Sequence, residues 1–328
     1  MPKPSPLADA CAGAAGAVFA NTLVFPLDVI KTRLQTQNKL VTGGHDHYHD
    51  SLDAFLRILK KEGLAGLYSG LGAGLFGTVA SAFSYFYFYS TIRARHVASI
   101  PAGQEISTPA ELLMGALAGA LCQIFTLPIA VITTRQQTAP PLERLSFVDT
   151  FQTILADEGP QGLWKGFKAS MVLCVNPAIT YGAFERVKAI WIRNKIAAAV
   201  AKGSQNNVSL SSGEVFLIGA LSKTLATVVT YPYIMAKVRM QWSPPKSTSD
   251  LTEKEQASLR YKGSIDVLKK VFATDGIAGW YKGMNAQIVK AVLCQAILFV
   301  SKEKFLAYTL AVFALLGGNA HHLEAPVH

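Results

Sequence analysis

Long apolar stretches alternate with short polar segments along the whole chain. No acidic or basic residue occurs in residues 10–27, 63–92, 112–134 and 169–184. About 20 mainly apolar residues are enough for a helix to cross a lipid bilayer. We therefore predict six membrane-spanning helices, with a large soluble all-helical core as the alternative. The predicted spans cover residues 7–36, 71–97, 109–138, 167–195, 211–242 and 284–316.

Three shorter segments between the spans carry apolar residues at helical spacing. They cover residues 51–63, 146–159 and 264–276, and each begins with serine and ends with glycine. Serine is favoured at the N-cap of a helix, and glycine is favoured just past its end. We therefore expect three serine-capped amphipathic helices that lie at the membrane–water interface.

The chain repeats itself three times. A first motif reads FPLDVIKTRLQ at 25–35, LPIAVITTRQQ at 127–137 and YPYIMAKVRMQ at 231–241. A second motif reads EGLAGLYSG at 62–70, EGPQGLWKG at 158–166 and DGIAGWYKG at 275–283. Two motifs that recur three times in the same order indicate an internally repeated architecture. We predict an all-α membrane protein with six transmembrane helices in three tandem pseudo-symmetric repeats, joined by short amphipathic interfacial helices. The predicted repeats are residues 1–105, 106–208 and 209–328.

Composition narrows the possible functions. Charged residues make up only 16% of the chain, whereas soluble proteins have about 25%. The net charge is +10, and most lysines and arginines lie in loops and at the ends of spans, as in membrane proteins. We therefore expect the chain to contact a lipid bilayer and not nucleic acid.

Sites for catalysis, metals or cofactors are not expected. The run HDHYHD at 45–50 contains three histidines and two aspartates, but it lacks a fixed scaffold, so we interpret it as a solvated loop and predict no metal site. No nucleophile–base arrangement and no phosphate-binding glycine loop occurs. We predict neither an enzyme nor a bound cofactor.

The two repeated motifs resemble those of the mitochondrial carrier family over nearly the whole chain. The resemblance implies a six-helix bundle around one central substrate site, and transport by alternating access, usually as an exchange of two anionic metabolites. It also implies that the chain works as a monomer. Three stretches are similar to the peroxisomal adenine nucleotide carrier branch of the family. They read SAFSYFYFYSTIR at 81–93, VLCVNPAITYGAFE at 172–185 and IGALSKTLATVVTYP at 218–232.

The first motif marks an inner gate, defined here as the carboxyl-terminal ends of the three odd-numbered spans. Proline removes a helical hydrogen bond and kinks the helix, which brings these ends together. In the family, the acid of one repeat pairs with the base of the next. Here the acid positions are Asp28, Ala130 and Ile234, and the base positions are Lys31, Thr133 and Lys237.

No cross-repeat pair is complete in this sequence, so we expect a weak inner gate in which Asp28 and Lys31 pair along their own helix. Three glutamines can donate and accept hydrogen bonds across it, while three arginines either bind phosphate or hold it shut. The residues assigned to this gate are Asp28, Lys31, Arg33, Gln35, Arg135, Gln137, Lys237, Arg239 and Gln241, with kinks at Pro26, Pro128 and Pro232.

The outer gate, at the opposite ends of the spans, is also short of ion pairs. Its motif reads YSTIR at 89–93, FERVK at 184–188 and KEKFL at 302–306. The residues assigned to it are Arg93, Glu185, Lys188 and Glu303. Only Glu303 with Arg93 forms a plausible pair between repeats.

Two lysines are candidates for binding the phosphates of an anionic substrate. Charged residues inside spans are rare and usually functional. Lys223 interrupts the fifth span, and Lys290 matches the family's contact on the sixth; snorkelling or pairing with a carboxylate is the alternative for both. The matching contacts fall at Gly77 and Thr78 on the second span and at Leu173 on the fourth span. Asn176, also on the fourth span, either binds the edge of a base or satisfies a backbone that is kinked beside Pro177.

Taken with the resemblance, these residues predict a multi-pass antiporter of the peroxisomal membrane that exchanges ATP for AMP or ADP. The alternatives are a carrier of larger nucleotide cofactors such as coenzyme A, FAD or NAD, and a non-transporting adaptor built on a carrier scaffold. The alternative membrane is the mitochondrial inner membrane.

Overall fold

The computed structural model describes residues 6–38, 41, 47–100, 106–201, 210–245, 252–294 and 296–297. In these ranges every regular element is helical. The α-helices are α1 (Pro6–Thr36), α2 (Ser51–Leu67), α3 (Leu71–Ser99), α4 (Thr108–Thr138), α5 (Phe147–Glu158), α6 (Phe167–Leu173), α7 (Asn176–Ala201), α8 (Ser212–Gln241), α9 (Glu253–Leu259), α10 (Ser264–Trp280) and α11 (Met284–Cys294). The predicted all-α fold class is confirmed.

The long helices match the predicted spans closely. Helices α1, α3, α4 and α8 begin and end within two residues of the first, second, third and fifth predicted spans. Of the helices that the structure describes, three are both long and apolar enough to cross a bilayer: Leu71–Ser99, Thr108–Thr138 and Gly213–Gln241. The sixth span is described as a helix over Met284–Cys294, and its predicted remainder lies largely outside the described residues.

The fourth predicted span, residues 167–195, consists of two helices, and the break lies beside Pro177, where the sequence allowed a kinked backbone. Helix α6 ends at Leu173 and α7 begins at Asn176. Pro177 has no N–H to donate to the Leu173 carbonyl, and its ring clashes with the preceding turn, so the α-helical ladder stops there. At the break the amide of Val175 donates to the Val172 carbonyl, three residues back, at 3.3 Å, and the Ile179 amide resumes the four-residue spacing with the Val175 carbonyl at 3.1 Å.

The three interfacial helices form, but the prediction of serine caps holds only for one. Ser146 caps α5, because its hydroxyl accepts the Asp149 N–H at 3.2 Å. At α2 the cap is Asp50, one residue earlier, whose carboxylate accepts the Asp53 N–H at 2.8 Å. Helix α10 follows Gly263, which offers no side chain.

Glycines interrupt the helical backbone where the sequence predicts that each interfacial helix ends. Gly63, Gly159 and Gly276 have φ of 66°, 69° and 65° with an extended ψ. Residues other than glycine rarely adopt this conformation. The chain therefore changes direction at the same position in each repeat.

The most buried part of the bundle lies at its inner-gate end. There each interfacial helix packs on the carboxyl-terminal half of a long helix from its own repeat. The buried residues of the three clusters are Ile30, Leu34, Ala54, Ile58, Leu67 and Ala286; Val131, Ile132, Ile154 and Leu163; and Tyr231, Met235, Ala236, Val267 and Val271. Ala286 of repeat 3 joins the cluster of repeat 1, so the packing continues from one repeat to another.

Candidate functional site

A ring of hydrogen bonds links the three repeats at the position of the predicted inner gate. The guanidinium Nε of each gate arginine donates to the backbone carbonyl of the gate glutamine in the next repeat. The pairs are Arg33 with Gln137 at 2.9 Å, Arg135 with Gln241 at 3.4 Å and Arg239 with Gln35 at 2.7 Å. Arg33, Arg239 and the three glutamines are buried. The three arginines thus join the three repeats in a cycle.

Two of these arginines also bind a carboxylate on the interfacial helix of their own repeat. Arg33 forms a bidentate pair with Glu62, at 2.6 and 2.8 Å, and Arg135 binds Glu158 at 2.5 Å. The burial of Glu62 raises its pKa, but Arg33 and Arg144 outweigh burial and hold the pKa below its usual range. Burial raises the pKa of Glu158 as well, and its bonds with Lys165 and Arg135 lower it by more.

Glu62 and Glu158 were missed by the assignment of gate residues from the sequence. The signal was available, since both stand first in the second repeated motif, where Asp275 is their counterpart. What the motif does not show is that this position reaches the arginine of the first motif.

Two of the gate glutamines bond across repeats, as predicted. Gln35 donates from Nε2 to the Tyr231 hydroxyl at 2.8 Å, and that hydroxyl donates to the Lys282 carbonyl at 2.9 Å. The Oε1 of Gln241 accepts from the Thr134 hydroxyl at 3.1 Å. Among the described residues the Nε2 of Gln137 has no partner, so the side chains of the ring are not equivalent.

The last glycine of the second motif lies against the gate of the next repeat. A Cβ on Gly283, where φ is +78°, would lie 3.1 Å from the Lys31 carbonyl oxygen. A Cβ on Gly166, where φ is +85°, would lie 3.2 Å from the Lys237 carbonyl oxygen. Glycine is favoured at both positions, because it adopts a positive φ without strain and has no Cβ to contact the neighbouring carbonyl oxygen.

Asp28 is bound by two lysines. Lys31 donates to Asp28 Oδ1 at 2.7 Å, which confirms the predicted pair along α1. Lys290, on α11, reaches the same oxygen at 2.9 Å. In this conformation the candidate substrate lysine therefore pairs with a carboxylate, and it joins repeat 3 to repeat 1.

Two further lysines lie on α8. Lys237 donates to Gln123 Oε1 on α4 at 3.4 Å. Lys223 precedes it by 14 residues, about four turns, so both lie on nearly the same face of the helix. Lys223 is exposed and lines a cavity of about 400 Å³ between α7 and α8, with Tyr181 and Phe184 on the opposite wall.

The other predicted substrate contacts lie in packed positions. Asn176 donates to the Thr230 hydroxyl at 2.9 Å, which links α7 to α8 beside the break at Pro177. Thr78 donates to the Gly74 carbonyl of its own helix at 2.9 Å. A Cβ on Gly77 would lie 3.2 Å from Ile129, so Gly77 allows α3 to approach α4. Leu173 is the last residue of α6.

The outer-gate residues that the structure describes form ion pairs with nearby acids. Arg93 binds Glu111 on α4 at 3.3 Å, and the Tyr89 hydroxyl donates to the same carboxylate. Lys188 and Glu185 lie 3.6 Å apart on one helix. Glu303 lies outside the described residues, so its pairing with Arg93 stays a prediction.

Comparison with known proteins agrees with this architecture. The family model described as mitochondrial carrier protein matches residues 2–98, 104–195 and 208–311. Peroxisomal adenine nucleotide transporter 1 of Eremothecium gossypii is 34% identical over 351 residues, covering 96% of this chain and 98% of that protein. Mitochondrial substrate carrier family protein Q of Dictyostelium discoideum is 33% identical, covering 94% and 91%. The peroxisomal nicotinamide adenine dinucleotide carrier of Arabidopsis thaliana is 34% identical, covering 91% and 94%. The three matched segments and these full-length relatives show that the chain belongs to the mitochondrial carrier family.

Proposed function

We propose that this protein exchanges ATP for AMP or ADP across the peroxisomal membrane by alternating access. The observation that carries the proposal is an excess of positive charge on the interior faces of the bundle. Lys31 and Lys290 lie 2.7 and 2.9 Å from the same oxygen of Asp28, and Lys237 donates to Gln123 on the neighbouring helix at 3.4 Å. Among the residues that the structure describes, Asp28 is the one carboxylate that forms an ion pair with any of these three lysines.

This charge arrangement suits a phosphate group. In a site with little water, the interaction between a cation and an anion is several times stronger than in bulk water. In this conformation a single oxygen of Asp28 binds the ammonium groups of both Lys31 and Lys290. A phosphate has several anionic oxygens, so it can take the place of Asp28 on Lys290 and also engage Lys237.

The cavity between α7 and α8 offers a second part of the site. Lys223 supplies a cation, while Tyr181 and Phe184 supply aromatic surface against which a purine ring can stack. A nucleotide placed there has its phosphates near Lys223 and its base near aromatic rings. This favours nucleotides over small carboxylates, which have no ring to stack.

The names of the relatives support the substrate class and the membrane. The Eremothecium gossypii relative is named as a peroxisomal adenine nucleotide transporter, and the Arabidopsis thaliana relative as a peroxisomal nicotinamide adenine dinucleotide carrier. The second name makes a dinucleotide such as NAD the specific alternative substrate. We further propose that the chain works as a monomer and has no enzymatic activity.

The test is exchange in liposomes that contain the purified protein. Vesicles preloaded with AMP should take up labelled ATP, and empty vesicles should take up much less. Lys223→Ala should raise the KM for ATP, whereas Lys168→Ala, an exposed lysine at the start of α6, should leave it unchanged. Stronger inhibition of uptake by NAD or coenzyme A than by unlabelled ATP would favour the cofactor carrier. Absence of exchange with any nucleotide would contradict the proposal.

A further inference from the structure

In each repeat the acid of the second motif binds a cation other than the gate arginine, but the source of that cation differs in repeat 1. Glu158 binds Lys165 at 2.7 Å, and Asp275 binds Lys282 at 2.9 Å. In both cases the lysine follows its acid by seven residues. Seven residues after Glu62 the chain has Ser69, and the second cation on Glu62 is Arg144.

Arg144 belongs to repeat 2, so its ion pair with Glu62 crosses from one repeat to another. The pairs of Glu158 with Lys165 and of Asp275 with Lys282 stay within a repeat. We call the contact between two neighbouring repeats a seam. At the seam between repeats 1 and 2, Arg33 donates both to the Gln137 carbonyl of repeat 2 and to the Glu62 carboxylate that Arg144 binds. One partly buried acid, Glu62, therefore connects the gate ring to the neighbouring repeat.

The loop that carries Arg144 is short and locally ordered. It joins α4 to α5 through Pro140 and Pro141, which fix φ, and a 3₁₀ turn over Pro141–Glu143. Gln136 donates to the Leu145 carbonyl at 3.0 Å and closes the loop onto α4. Beyond the loop, Phe147 packs edge-on against Phe76 of repeat 1, with ring centroids 5.9 Å apart.

We propose that Arg144 is a positioning residue that holds repeats 1 and 2 together on the inner-gate side. It acts through Glu62 and stabilises the closed gate at this one seam, in a protein whose gate has few other ion pairs between repeats. During transport this seam opens after the seam between repeats 2 and 3. The order of opening rests on the proposed transport function, whereas the contact between the repeats does not.

The test measures the two seams separately with pairs of spin labels. Leu52, Val148 and Ile265 lie near the start of the interfacial helices of repeats 1, 2 and 3, and 66%, 58% and 65% of their surfaces are exposed. Labels at 52 and 148 report the seam between repeats 1 and 2, and labels at 148 and 265 report the seam between repeats 2 and 3. The native cysteines are replaced by alanine in every variant.

Three variants distinguish two roles of Arg144: holding repeats 1 and 2 together, or only neutralising the charge of Glu62. Arg144→Ala should add a longer component to the 52–148 distances and leave the 148–265 distances unchanged. Arg144→Lys should stay close to the unsubstituted protein, since it keeps the charge. Ser69→Lys combined with Arg144→Ala supplies the cation from repeat 1, as in the other repeats, and should behave like Arg144→Ala.

Three results would overturn the proposal: unchanged 52–148 distances in Arg144→Ala, equal changes at both seams, or full recovery by Ser69→Lys. If the double variant does not fold, Arg144→Ala and Arg144→Lys still decide the outcome, because a tie needs the charge at residue 144. The distances are measured without nucleotide. Failure of nucleotide exchange would therefore contradict the proposed function and leave the seam result standing.

Discussion

Lys290 and Asp28 allow a direct test of whether a substrate phosphate competes with the protein's own carboxylate. Lys290 donates to Asp28 at 2.9 Å. A phosphate that binds Lys290 replaces one charge-assisted bond with another, so its net gain is small. In Asp28→Asn the competing charge is absent, and the phosphate gains nearly the whole bond.

The expected magnitudes follow from the strength of one such bond. A hydrogen bond to a charged group contributes about 1.5–3 kcal/mol, and each 1.4 kcal/mol corresponds to a factor of ten in Kd. Lys290→Ala should therefore weaken AMP binding by about ten- to a hundredfold in the Asp28→Asn background. In the otherwise unsubstituted protein the same change should cost less than about tenfold.

The assay is titration calorimetry of AMP against the purified protein and its variants. Asp28→Asn alone should bind AMP more tightly, because both lysines are released from the carboxylate. Lys168→Ala is the control, since that exposed lysine lies at the start of α6. An equal cost of Lys290→Ala in both backgrounds would refute the competition. An equal cost of Lys290→Ala and Lys168→Ala would mean that a diffuse positive field attracts the nucleotide and that Lys290 is not a contact.

Two further predictions concern the inner gate. Ile234→Asp places an acid opposite Lys31 in the family's pairing scheme and should slow ATP/AMP exchange in liposomes; an unchanged or faster rate would contradict that pairing or show that this gate does not limit turnover. Gly283→Ala forces a left-handed φ of +78° on alanine and brings its Cβ to 3.1 Å from the Lys31 carbonyl oxygen. The left-handed conformation alone costs about 1–2 kcal/mol, so the protein should unfold at a lower temperature. Gly72→Ala, which adds a Cβ with no atom within 4 Å, is the control, and equal melting temperatures would argue against the strain.

The sequence alone determined the architecture, because its signals are local or repeated. Apolar length predicted the long helices, and the motif spacing predicted three repeats of the same construction. The pair between Asp28 and Lys31 could also be predicted, since residues three apart on a helix are neighbours. Pro177 was visible too, but proline at that point can kink a helix or end it, and the structure shows that α6 ends.

Only the tertiary structure decided how the gate is held. The sequence shows Glu62, Arg33 and Arg144 as separate charges, and nothing in their spacing indicates that the three side chains meet. The same holds for Lys290, which reaches Asp28 only because α11 packs beside α1. Contacts between repeats depend on the angles and distances between packed helices, and these arise from the summed packing of many side chains. A local pattern cannot encode them, whereas a helix needs only its own backbone bonds and an apolar face.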